Sequence, residues 1–207
     1  MKKITFILLL LTATITTAQQ LYVEGGKTMS SFNYKNSQGN SLDNLQATAH
    51  SFMAIGYRNP VLFDKMYASL GASYAGYGAI GSTDAVGNFM EWDTNYLEVN
   101  VGADYEFYTY KNFTFYAKTA LSLGFFLQGV QTFNNKVIDL KNSDLDKVSL
   151  DFRTGLGFLH PISENLSFYA QYVHGKTFDS ASGKEKLRIK SNNVGFGLLI
   201  DISNKYY

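Results

Sequence analysis

Between Asn95 and Thr109 every second residue is apolar. Leu97, Val99, Val101, Ala103, Tyr105 and Phe107 share one face, while Glu98, Asn100, Gly102, Asp104 and Glu106 share the other. A strict period of two marks a β-strand with one face in apolar and one in polar surroundings. The pattern returns with Phe113, Phe115, Ala117, Thr119, Leu121, Leu123 and Phe125 against Thr114, Tyr116, Lys118, Ala120, Ser122 and Gly124. It recurs with Val148, Leu150, Phe152, Thr154, Leu156 and Phe158 against Ser149, Asp151, Arg153, Gly155 and Gly157. A final segment sets Val194, Phe196, Leu198, Ile200 and Ile202 opposite Asn193, Gly195, Gly197, Leu199 and Asp201.

Weaker versions near Leu21 to Tyr34, Ala47 to Arg58, Lys65 to Ile80 and Leu166 to Thr177 bring the strand count to about eight. The connections fall into two alternating classes. Asn59 to Asp64, Tyr110 to Asn112 and His160 to Asn165 are short and carry turn residues. Lys35 to Leu45, Gly81 to Asp93, Gln131 to Asp146 and Phe178 to Lys186 are longer and polar. An even strand count with short and long connections in alternation predicts an all-β fold, an eight-stranded antiparallel up-and-down transmembrane β-barrel with both termini on the periplasmic side.

Met1 to Ala18 reads as an export signal that is cleaved, leaving 19–207 as one barrel domain. Lys2 and Lys3 are its basic region, Ile4 to Leu11 its apolar core and Thr16-Thr17-Ala18 its cleavage site. That apolar run is too short to span a bilayer of about 30 Å. No later stretch reaches the roughly 18 apolar residues of a transmembrane helix, so a spanning structure has to be a closed barrel. Of 18 Lys and Arg, two lie in the signal, which leaves 16 against 17 Asp and Glu. Near neutrality implies no polyanionic partner, and nucleic acid is not expected. With no cysteine, neither a disulfide framework nor a lipidated-cysteine anchor exists.

A soluble eight-stranded barrel has the same period, and the direction of polarity separates the two. Here the apolar faces are long and aromatic, while the other faces carry Gly, Ser and Asn beside isolated charges. Glu24, Arg58, Glu98, Asp104, Glu106, Lys118, Asp151, Arg153 and Asp201 fall on those inner faces and include both signs. An unpaired charge in a narrow lumen is costly. Arg58, Lys118 and Arg153 are therefore expected to pair with Glu98, Asp104, Glu106 and Asp151 in a structural charge network that plugs the barrel.

On these patterns the chain resembles the small outer-membrane β-barrel family, OmpA/OmpX-like in architecture, and the porin-family barrels of Bacteroidetes type. The resemblance covers most of Gln19 to Tyr207. It rests on the Ala18-Gln19 junction and on phrases such as Gly155-Leu156-Gly157-Phe158 and Val194-Gly195-Phe196-Gly197. It implies a Gram-negative envelope location, insertion by the barrel-assembly machinery and a terminal aromatic, which Tyr206 and Tyr207 supply, although Ser203, Asn204 and Lys205 break the alternation before them.

Several motifs have plainer readings. Gly155-x-Gly157 and Gly195-x-Gly197 lie inside strands with no following helix, so they make room for large neighbours and do not bind a nucleotide. Gly175-Lys176-Thr177 lacks the glycine five positions earlier that a phosphate-binding loop needs; Ala170 stands there. Asn112-Phe113-Thr114 and Asn165-Leu166-Ser167 are turn residues in a bacterial chain. His50, His160 and His174 are scattered without metal-ligand spacing, so neither metal nor cofactor is expected. Outer-membrane lipid A deacylases carry a His-x-Ser phrase on a late strand, but here His174 is followed by Lys176 where the nucleophile belongs.

The expected function is thus non-enzymatic, a structural or surface-interaction role for a monomer among outer-membrane lipids. Narrow-pore transport is the rival, and a lipid A-modifying enzyme is the third possibility. A contact with lipopolysaccharide is expected from Lys184, Lys186, Arg188 and Lys190, which recur at period two and continue the face of Val194 and Phe196. A bulge near Ser191 to Asn193 would instead turn Leu187 and Ile189 outward.

Overall fold

The computed structural model describes residues 19–35, 45–61, 63–82, 89–141, 148–178 and 186–202. The signal at 1–18, Lys184 and the terminal aromatics lie outside them. The described residues form β1 (Gln20–Lys35), β2 (Gln46–Val61), β3 (Phe63–Ser82), β4 (Phe89–Tyr110), β5 (Phe113–Phe133), β6 (Lys136–Asp139), β7 (Ser149–Ser163), β8 (Leu166–Thr177) and β9 (Lys186–Asp201). Eight strands pair antiparallel with their neighbours in chain order, and β1 pairs with β9 to close the sheet into a barrel. The short β6 folds back on the end of β5 alone.

A walk across paired residues from Gln20 passes through Arg58, Ser69, Gly102, Ala120, Arg153, Gly175 and Ser191. It returns to β1 at Ser30, ten residues along. A stagger of this size over eight strands tilts them by about 40° and leaves an interior that side chains can fill.

Turn chemistry explains the ends. Lys111, with φ of 52°, turns β4 into β5, where Tyr110 pairs with Phe113. The two prolines, which cannot donate to a ladder, sit at register shifts in the pairings of β2 with β3 and β7 with β8. Two predicted loops are shorter than expected. β4 begins at Phe89, so residues 89–93 of the predicted 81–93 loop are strand. Within the predicted 131–146 loop, Asn134 and Asn135 at φ of 45° and 67° make a two-residue hairpin, the conformation whose twist suits paired strands. β5 therefore runs on to Phe133 and returns as β6.

The polarity is inside out. Val23, Met53, Ile55, Leu70, Val101, Leu121 and Leu156 are all exposed, whereas Glu24, Arg58, Glu98, Asp104 and Asp151 are buried. Near the short turns an aromatic row crosses five strands, with ring centroids 6.0 Å apart for Tyr108–Phe115, 6.4 Å for Phe115–Phe158, and 6.3 Å for both Phe158–Phe168 and Phe168–Phe196. Such a girdle suits a membrane–water interface. Because the closed ladder leaves detergent no edge to attack, the folded protein is expected to migrate faster on a cold detergent gel than after boiling. Identical migration of the two samples would contradict a closed barrel.

Candidate functional site

One strand reads the whole lumen. From the short-turn end to the long-loop end, β4 turns Glu106, Asp104, Gly102, Asn100, Glu98, Tyr96, Thr94 and Trp92 inward at every second residue, and the run is buried throughout from Glu98 to Trp92. The lumen is charged at the first end and mainly aromatic at the second.

At the short-turn end Arg58 holds two carboxylates. Its Nε donates to Asp104 Oδ2 at 3.1 Å and its Nη2 to Glu106 Oε1 at 2.8 Å. Its guanidinium lies 3.7 Å over the Tyr67 ring, and Lys118 Nζ is 3.5 Å from Asp104 Oδ1. Further in, Arg153 Nη2 is 2.6 Å from Glu98 Oε1 and 3.3 Å from Asp151 Oδ2. Tyr77 and Ser73 also donate to Glu98, at 2.6 and 2.7 Å, and Arg153 reaches Asn100 Oδ1 at 3.2 Å. The predicted charges thus meet in two clusters, not one network.

Between the clusters lies a layer whose partners sequence reasoning missed. Glu24 accepts from Gln171 Nε2 at 2.7 Å and from the Tyr169 hydroxyl at 3.2 Å, and Tyr116 donates to Gln171 Oε1 at 3.0 Å. The large rings fit because glycine faces them. A Cβ on Gly157 would meet the Tyr116 ring at 2.5 Å, and one on Gly197 the Tyr169 ring at 2.5 Å. The room-making role expected of the strand glycines is therefore physical here. Cavities of about 20 and 60 Å³ remain beside these layers, space for a few waters only.

The long-loop end of the lumen corrects the expectation of a polar interior. Phe32, Tyr77, Trp92, Tyr96, Leu140 and Ile189 form a buried apolar cluster. The rings of Phe32 and Trp92 lie 6.3 Å apart, those of Tyr77 and Tyr96 5.7 Å, and those of Tyr96 and Phe126 5.6 Å. Leu140 arrives from the β5–β6 return and is pinned by its amide on Gly129 O at 3.0 Å.

On the outer face, β9 pairs with β1 from Asp201 to Lys186 without a register shift. Lys190 is exposed and Arg188 shares its parity, on the same side as Val194 and Phe196, while Ile189 is buried. The bulge that would reverse this face does not occur. His174 is exposed, and its Nδ1 lies 3.0 Å from Asn192 Oδ1. Near the long loops Thr48 Oγ1 is 2.9 Å from His50 Nε2, but Asp93 is 3.7 Å from His50 Nδ1. That is too far for the hydrogen bond that would orient a catalytic base. No group of three His, Asp or Glu suited to a metal occurs among the described residues.

In sequence, no protein-family model and no curated protein matches the chain. In structure it is similar to a major outer membrane protein from Thermus thermophilus, with a TM-score of 0.53 at 11% identity over 90% of this chain and 100% of the other. It is also similar to Neisserial surface protein A, with a TM-score of 0.52 at 12% identity over 88% and 97% of the two chains. The outer membrane protease OmpT from Escherichia coli gives a TM-score of 0.52 at 7% identity over 91% and 98%. The fold is that of the outer-membrane β-barrels, a fold that serves more than one activity.

Breaking the inner ion cluster tests its weight. Arg153→Ala should lower unfolding stability in lipid vesicles by about 3 kcal/mol, because two buried carboxylates lose their cation. Arg153→Met combined with Glu98→Gln should cost less than Arg153→Met alone, since the stranded anion is gone. Equal losses in urea titrations would mean that Glu98 does not depend on Arg153.

Proposed function

We propose that this protein is a non-enzymatic outer-membrane barrel with a closed lumen, acting through its lipid-facing wall and long loops in a structural or surface-interaction role. The observation that carries the reading is that side chains occupy both halves of the interior. Ion clusters occupy the half near the short turns, and an aromatic plug fills the half near the loops. A solute would have to displace both.

The exposed apolar belt and the aromatic row support residence in lipid. The short turns and both strand termini share one end, which supports the periplasmic side for the termini and the outer surface for the loops. Contact with outer-membrane lipids follows from the belt, and the eight-stranded closure is complete within one chain, in keeping with a monomer.

Purified protein in planar bilayers is expected to give no discrete conductance steps, and lipid A from cells with and without it should have the same mass. Regular unit steps would return the narrow-pore reading, and a change in lipid A mass the enzymatic one.

A further inference from the structure

We propose that the outer wall of β8 and β9 binds the phosphorylated headgroup of lipid A, with Lys176 and Lys190 as the two arms of the site. The inference rests on the reading above, that this wall is embedded in an outer membrane with the long loops outward.

The carrying observation is a register position. Lys176 on β8 and Lys190 on β9 stand directly opposite each other, and both are exposed. Like charges directly across a ladder repel, and opposite side chains stand only about 5 Å apart at Cβ. Neither β8, β9 nor β1 places an Asp or Glu among its described outward positions. Among the described residues no carboxylate lies there to bridge the two ammonium groups, and a phosphate between them would turn the repulsion into two charge-assisted hydrogen bonds.

The surroundings fit an anion as well. Lys190 faces Ser31 across β1, and Arg188, the next residue of the same row, faces Asn33. Hydroxyl and amide groups there can donate to further phosphate oxygens. They also fit a lipid over a free anion. Phe152 lies opposite Lys176 on β7, and both it and Phe178 are exposed, which puts apolar rings beside the cations where acyl chains begin. Below this row, past the opposed pair of His174 and Asn192, the wall becomes apolar through Val194, Phe196 and Leu198.

The test uses the folded chain in phosphatidylcholine nanodiscs, offered lipid A, dephosphorylated lipid A or inorganic phosphate. Lipid A should be retained and should raise the unfolding temperature, while the other two probes should not. Lys176→Gln with Lys190→Gln should lose roughly tenfold in lipid A retention, the scale of one to two charge-assisted bonds. In phosphatidylcholine alone the same variant should unfold at a higher temperature than the parent, because the repulsion is gone. Lys190→Gln alone should move both readouts the same way by less. Lys65→Gln with Lys111→Gln, toward the short-turn end, should behave as the parent. Unchanged retention in the double variant, or equal retention of phosphate-free lipid A, would overturn the site; an equal response to inorganic phosphate would overturn the lipid assignment. A parent protein that shows no heat-dependent gel shift in nanodiscs would instead overturn the membrane reading itself.

Discussion

The pairing of β1 with β9 is the interaction on which everything else depends. Every residue from Gln20 to Lys35 finds a partner between Asp201 and Lys186. Without it, two strands would present unpaired amides and carbonyls, a cost of several kcal/mol per group in lipid. Closure also fixes which way each side chain points. A one-residue slip of any strand reverses its two faces, so the stagger around the barrel has to be even if inward residues are to meet inward residues at the seam. The walk that begins at Gln20 and returns at Ser30 satisfies this condition, and a single strand can then read the lumen on one side and the belt on the other.

Inside, two physical solutions divide the lumen. Toward the short turns, buried charges are tolerated because each arginine is shared between two carboxylates, Arg58 by Asp104 and Glu106, and Arg153 by Glu98 and Asp151. Glu24 is held differently, by an amide and a phenol that donate to it. Toward the loops, charged groups give way to Trp92, Phe32 and Ile189. An aromatic plug needs few hydrogen-bond partners, and its rings give the ion clusters below it a low-polarity cap. This strengthens their electrostatic terms.

The alternation of residues made the strands and their inward charges legible, because parity alone decides which face a side chain occupies. Partner choice was not legible. Arg153 on β7 reaches Glu98 on β4 across the intervening β5, and only the stagger brings those two to one height. Trp92 and Leu140 were hidden for a different reason. Both lie where polar, turn-forming residues such as Asn134 and Asn135 suggested loop, and there the strands outlast the obvious alternation. The pair formed by Lys176 and Lys190 was equally out of reach, since each residue is unremarkable until the β8–β9 register sets them face to face.

The polar residues of the outer wall then mark how far the hydrocarbon reaches. An outward polar group within lipid is tolerable when the protein satisfies it, and this side of the barrel carries such cases. The Lys27 amine donates to Ser51 at 3.0 Å, and the Tyr172 hydroxyl donates to Asn192 at 2.6 Å. Lys27 can also lay its aliphatic stem along the apolar surface while its amine leans toward the interface. The directly opposed lysine pair has no such partner among the described residues. It suits a height where headgroups or water begin, which on the proposed reading is where the wall leaves the membrane core. On the β5 side the outward face remains apolar through Leu121, Leu123, Phe125 and Leu127. The contrast makes the wall chemically one-sided, and the lipid-binding site proposed above rests on that outer asymmetry.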